Sequence, residues 1–270
     1  MLLEAGADAN ARDDRGYTAL TWAEAAENPV LIRLLHDAEA KKNFDDNVEY
    51  AQFQIKRLEE YISLMKQYHE TANLELATDG MTLLMYAART GDLNAVKFLL
   101  AAGANVNARD DDGNTALYYA VDNDYPHVVR ILLSAGANPD TETRRSSVLY
   151  IAAANGHLAA VKELVRAGAD VDKADNGWTP LYIASVWGHT DIVKELLAAG
   201  ADTEIKEGYM DSTVLMAAAE NGHSDTVKAL LAAGANANAK DKDGMTALGR
   251  TENPKIIALL REAGAEEAEE

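Results

Sequence analysis

The chain has 270 residues, 48% of them hydrophobic, so it can bury enough apolar surface to fold and is not disordered throughout. Its 25 Lys and Arg stand against 44 Asp and Glu, a net charge of −19, which repels phosphate backbones and removes nucleic acid from the expected partners. There is no cysteine, hence no disulfide framework and no thiolate metal site, and no run reaches the roughly 20 apolar residues that a bilayer crossing requires. A cytoplasmic, soluble location without membrane contact is therefore expected, while a processed periplasmic or secreted form stays open.

Residues 1–40 place Thr18, Leu20, Asn28, Pro29, Leu34 and Leu35 at the spacing of Thr246, Leu248, Asn253, Pro254, Leu259 and Leu260 near the other end. They read as a partial, cap-like repeat. Residues 1–7 look like the tail of a second helix whose first helix is absent, so the chain is expected to begin inside an array. Either it is a fragment, or the gene product begins half-way through a unit.

Residues 41–78 form a separate segment, in which 46–73 contain no glycine or proline. Val48, Ala51, Ile55, Leu58, Ile62, Met65, His69 and Ala72 alternate in steps of three and four, the pattern of one long amphipathic helix. Asp45, Asp46 and Asn47 supply its cap and a favourable negative charge at its start. Three fates are open for it: packing against its own array, weak homo-oligomerisation as a short coiled coil, or a degenerate repeat. The last follows because Thr18 and Thr82 lie two periods apart.

Residues 79–264 repeat. The phrase LAAGAN at 100–105 returns as LSAGAN, VRAGAD, LAAGAD and LAAGAN, with glycines at 103, 136, 168, 200, 234 and 264, a period of 30 to 34 residues. A hydroxyl residue two places before a leucine keeps the same register in Thr82, Thr115, Ser147, Thr179, Thr213 and Thr246. A glycine-histidine pair recurs at 156–157, 188–189 and 222–223, and reads Gly91-Asp92 in the first full unit. Within one unit, Thr179 caps a short helix that Pro180 begins and Gly188 ends. A second helix starts near Thr190 and puts Ile192, Val193, Leu196 and Leu197 on one face.

The stretch GWTPLYIASVWGHTDIVKELLAAGAD at 177–202 resembles the ankyrin repeat, whose signature is T-P-L-H-x-A. The resemblance covers 79–264 continuously and 1–40 more weakly. It implies an all-α solenoid of helix-turn-helix units joined by β-hairpin or turn connections, here with one long inserted helix. About six units are expected, closed by a cap at 245–264 and followed by an acidic tail at 265–270. Tyr118, Tyr150 and Tyr182 stand where the family usually has histidine, and Met85 and Met216 do so in other units, which puts that histidine's usual hydrogen bond in doubt. Arg145 and Asp211 replace hairpin glycines, so those two hairpins are expected to be irregular.

Catalytic signals are lacking. His157, His189 and His223 recur with the repeat and so have a structural explanation. His36, His69 and His127 have no partner at the spacing that helical zinc sites use, and no phosphate loop, dinucleotide fingerprint or nucleophile elbow is present. The chain is read as a non-enzyme with no cofactor or metal.

The ankyrin resemblance implies a concave face of hairpin tips and first helices that binds another protein. Carried over by position, the candidates are Asp111, Asp112, Asn114, Asp122 and Asn123 in one unit, and Arg144, Ser146 and Tyr150 in the next. Asp175, Asn176, Trp178, Tyr182 and Trp187 follow, then Tyr209 and Met210. Trp, Tyr and Arg dominate interface hot spots, where truncation commonly costs about 2 kcal/mol or more, so the contact centre is expected at Trp178, Trp187 and Arg144. The alternative function is a scaffold that self-associates through the long helix or the open first half-repeat.

Overall fold

A computed structural model describes residues 80–143, 146–175 and 177–266. The chain divides into two units, Met1–Gln67 and Tyr68–Glu270, and the description concerns the second. The cap-like reading of 1–40 and the long helix of 46–73 lie outside the described residues, as do Arg144, Arg145, Asn176 and the tail from 267.

Eleven α-helices follow one another among the described residues, with no extended strand. In chain order they are α1 (Leu83–Thr90), α2 (Leu93–Ala101), α3 (Ala116–Asp122), α4 (Pro126–Ser134), α5 (Val148–Asn155) and α6 (Leu158–Arg166). Then come α7 (Pro180–Trp187), α8 (Thr190–Ala198), α9 (Val214–Glu220), α10 (Ser224–Ala232) and α11 (Pro254–Glu262). A 3₁₀ turn at Leu248–Arg250 stands where the last unit's first helix would be. That first helix is cut short before Asn253 and Pro254.

The odd-numbered helices α1 to α9 stack on one another as an inner layer, and α2, α4, α6, α8, α10 and α11 stack as an outer one. The signature leucines Leu84, Leu117, Leu149, Leu181 and Leu215 are fully buried between the layers. Ala120, Ala152, Ala184 and Ala218, each five residues after the capping hydroxyl, are buried completely; a methyl group there lets neighbouring inner helices approach closely. No unit of two helices this short could cover its own apolar face, so each is stabilised by its neighbours.

Every inner helix starts on its hydroxyl residue. Thr82, Thr115, Ser147, Thr179 and Thr213 each accept a hydrogen bond from the backbone N–H three residues on, worth about 1 kcal/mol per cap. Where methionine replaces the family's histidine, its sulfur takes over the reciprocal bond. The N–H of Thr82 donates to Met85 Sδ at 3.4 Å, and that of Thr213 to Met216 Sδ at 3.5 Å.

The glycine-histidine pair joins adjacent units. Gly188 ends α7 in the left-handed region at φ 69°, and a Cβ there would stand 2.5 Å from the His223 ring of the next unit. That ring donates from Nε2 to the Val186 carbonyl at 2.9 Å, satisfying an acceptor at the end of α7. His157 through Nδ1 and His189 through Nε2 bond in the same way to the carbonyls of Val121 and Ala154, so the recurring histidines serve the stack. In the second full unit Asp124, at φ 54°, and Tyr125 occupy the two places instead.

Connections between units are turns with isolated antiparallel bridges, Glu142 with Ser147, Asp175 with Trp178 and Glu207 with Ser212. Side chains link each turn to the next: Asp140 accepts from the Asp170 N–H at 2.8 Å and Asp172 from that of Asp202 at 3.0 Å. Asp211 takes the left-handed conformation, φ 54°, where its counterparts carry glycine. Among the described residues no helix is long and apolar enough to cross a membrane.

Candidate functional site

The inner helices begin directly after the hairpin tips, so the third residue of each helix and the last residues of each tip share one face. Between α3 and α5 this face sinks into a groove of about 680 Å³. Five residues chosen from the sequence meet there: Asp112, Asn114 and Asp122 from one unit, Ser146 and Tyr150 from the next. Tyr118, Thr143, Ile151, Ala154 and Asn155 complete the lining. Tyr118 stands at the repeat position of Tyr150 and could have been chosen with it; Ile151 is an apolar helix position that gave no sequence signal.

Asp110 fixes the tip on one side of the groove. It accepts from the backbone N–H of Asp112 at 3.0 Å and of Asn114 at 2.7 Å, and from the Tyr119 hydroxyl at 2.6 Å. Burial and this carboxylate hold the Tyr119 phenol protonated, pushing its pKa up to about 12. Asp111 and Asp112 are exposed on the tip, and Asp122 and Asn123 are exposed at the end of α3. Burial raises the pKa of Tyr150, with Asp175 and Glu207 adding negative charge nearby.

The aromatic residues divide into two kinds. Trp178 is half-buried: its ring packs against Tyr182 at 4.6 Å between centroids, and a Cβ on Gly208 of the next unit would meet it at 2.4 Å. It therefore locks one hairpin to the next. Trp187, at the end of α7, is 61% exposed, and Tyr209, on the following hairpin tip, is 87% exposed. Lys242 lies 5.2 Å above the Tyr209 ring, donates to its carbonyl at 2.8 Å and pairs with Asp211 at 3.2 Å. Met210 is half-buried, and its carbonyl accepts from the Lys242 N–H at 3.0 Å. Asp175 exchanges both backbone hydrogen bonds with Trp178.

Glu207 was not foreseen. Only 2% exposed, it accepts from the Thr179 backbone N–H at 2.8 Å and from the Thr179 hydroxyl. A carboxylate of one unit thus holds the helix cap of the unit before it. Burial raises its pKa to about 7 against these bonds, with Asp172 adding to the rise. The 34-residue spacing from Gly200 to Gly234 is the one sequence sign of this enlarged hairpin. Among the described residues no group of three or more His, Asp or Glu is placed to hold a metal ion.

A family model described as ankyrin repeats matches residues 52–143, 136–207 and 205–267. The first match begins inside the segment read as a long helix. Over 115 residues the chain is also 34% identical to the mitochondrial disaggregase of Bos taurus, a stretch that is 41% of this chain and 17% of that protein.

Proposed function

The chain belongs to the ankyrin repeat family, and from that premise we propose that it is a non-enzymatic module that binds a partner protein on the face made by its hairpin tips and inner helices. Ankyrin repeats are an interaction fold, typically without catalytic activity. The observation that carries the placement is the groove between α3 and α5, in which residues free to vary from unit to unit come together. Exposed Trp187 and Tyr209 lie along the same succession of hairpins and inner helices, and large exposed aromatics are the side chains that anchor interfaces. An adaptor, inhibitor or effector role is served equally by such a surface.

The test is affinity capture from a lysate of the source cell, comparing the intact chain with Trp187→Ala plus Tyr209→Ala and with Tyr118→Ala plus Tyr150→Ala. Trp187 and Tyr209 are chosen over Trp178 because their exposure lets them be removed without undoing hairpin packing. A protein retained by the intact chain and lost from either variant supports the reading. Captures that ignore all four substitutions put the binding elsewhere, and mass that rises with concentration in the purified chain favours the self-associating scaffold.

A further inference from the structure

The groove between α3 and α5 has a distinct chemistry. Its aromatic walls are Tyr118 and Tyr150, each three residues beyond a capping hydroxyl on successive inner helices. Asp112 brings a carboxylate to it from the tip before α3 and Asp122 from the last residue of α3, and both are exposed. The face of a phenol ring attracts cations, and more strongly where water is partly excluded. Negative charge continues past the groove at Asp175, which acts on the Tyr150 hydroxyl. Across the whole chain the charge of −19 draws positive segments in and holds negative ones off during approach. Asn114 and Ser146 add polar groups suited to the backbone of an extended peptide.

Resting on the protein-binding reading above, we propose that this groove takes a Lys or Arg side chain carried on an extended segment of the partner. The cation sits between the Tyr118 and Tyr150 rings, and the carboxylates of Asp112 and Asp122 meet its charge. An acidic segment would bring like charge against Asp112 and Asp122, which the site discriminates against.

The probe is a phage-displayed library of random dodecapeptides panned on the full chain, with binding of the enriched peptides then measured by fluorescence anisotropy. Enriched peptides are expected to share at least one Lys or Arg. Their affinity is expected to fall about tenfold or more on Asp112→Asn plus Asp122→Asn or on Tyr118→Ala plus Tyr150→Ala, and to weaken as salt rises. Peptides without Lys or Arg that still depend on the two tyrosines would overturn the cation assignment and leave the protein-binding reading standing. Peptides indifferent to these substitutions, or no enrichment at all, would overturn the cation assignment, and the capture experiment then decides the protein-binding reading by itself. Arg144 and Arg145 follow Thr143 in the sequence, so the measurement is repeated with both changed to Gln. Affinity that holds or rises there supports the assignment, and affinity that collapses shows the arginines reading an acidic peptide and overturns it.

Discussion

At the scale of single residues, Glu207 is the side chain whose behaviour departs furthest from its ordinary chemistry. Its pKa is raised from 4.5 to about 7, so between those values the folded chain holds a proton that the unfolded chain has released. Stability from this group is therefore greatest at the acid end of the window and falls as pH rises through it, by up to about 3 kcal/mol in all. Denaturant unfolding at pH 5 and pH 8 is expected to show that loss in the native chain and to show it much reduced in Glu207→Gln, whose amide can still accept from Thr179 and donate to its hydroxyl. Equal pH dependence in the two chains would mean that Glu207 is ionised throughout. The carboxylate was invisible in the sequence because its partner, Thr179, lies 28 residues away. Arg250 is its counterpart at the end of the stack, bonding both Glu220 and Asp241, and it keeps the Asp241 carboxyl low despite burial.

At the scale of elements, the junction between one unit's inner helix and the next unit's outer helix is the step that repeats. Gly188→Ala and Gly200→Ala separate its two demands. Both positions lie in the left-handed region, but a Cβ at Gly188 strikes the His223 ring whereas nothing lies within 4 Å of one at Gly200. The backbone strain alone is of order 1 kcal/mol. Gly188→Ala is expected to cost about 1–3 kcal/mol more than Gly200→Ala, because the ring must shift and the bond from His223 to the Val186 carbonyl is lost. Thermal unfolding of the two variants checks this; equal losses would mean that the ring moves freely. The glycine-histidine pair was legible as a periodic signal, and so was its structural role. What the spacing did not reveal is that the second full unit fills the two places with Asp124 and Tyr125, since an Asp in the left-handed region leaves no glycine to find.

At the scale of the whole described array, stability is a chain of neighbouring contacts, so damage at an end should stay local. Ile256 and Leu260 of α11 are fully buried and pack on α10. Changing both to Ala is expected to cost about 2–5 kcal/mol for each site in that end unit. Amide hydrogen exchange should then quicken in α9 to α11 while α3 to α6 keep their protection. A uniform loss of protection would show that the array unfolds as one cooperative block.

The sequence by itself determined the family, the period, the helix starts and the layer of signature leucines, because each depends on residues a few places apart in one unit. The hydroxyl residue caps the helix that follows it, and the leucine two places on turns inward whatever the neighbour is. The sequence also picked out five of the ten residues that line the groove between α3 and α5, as positions released from core packing. Only the tertiary structure decided which of those positions meet. Stacking of adjacent units put Tyr118 beside Tyr150, turned Trp178 onto the next hairpin while leaving Trp187 exposed, and buried Glu207 against Thr179. These are contacts between residues about one period apart, set by the packing of one unit on the next, and no local pattern encodes them.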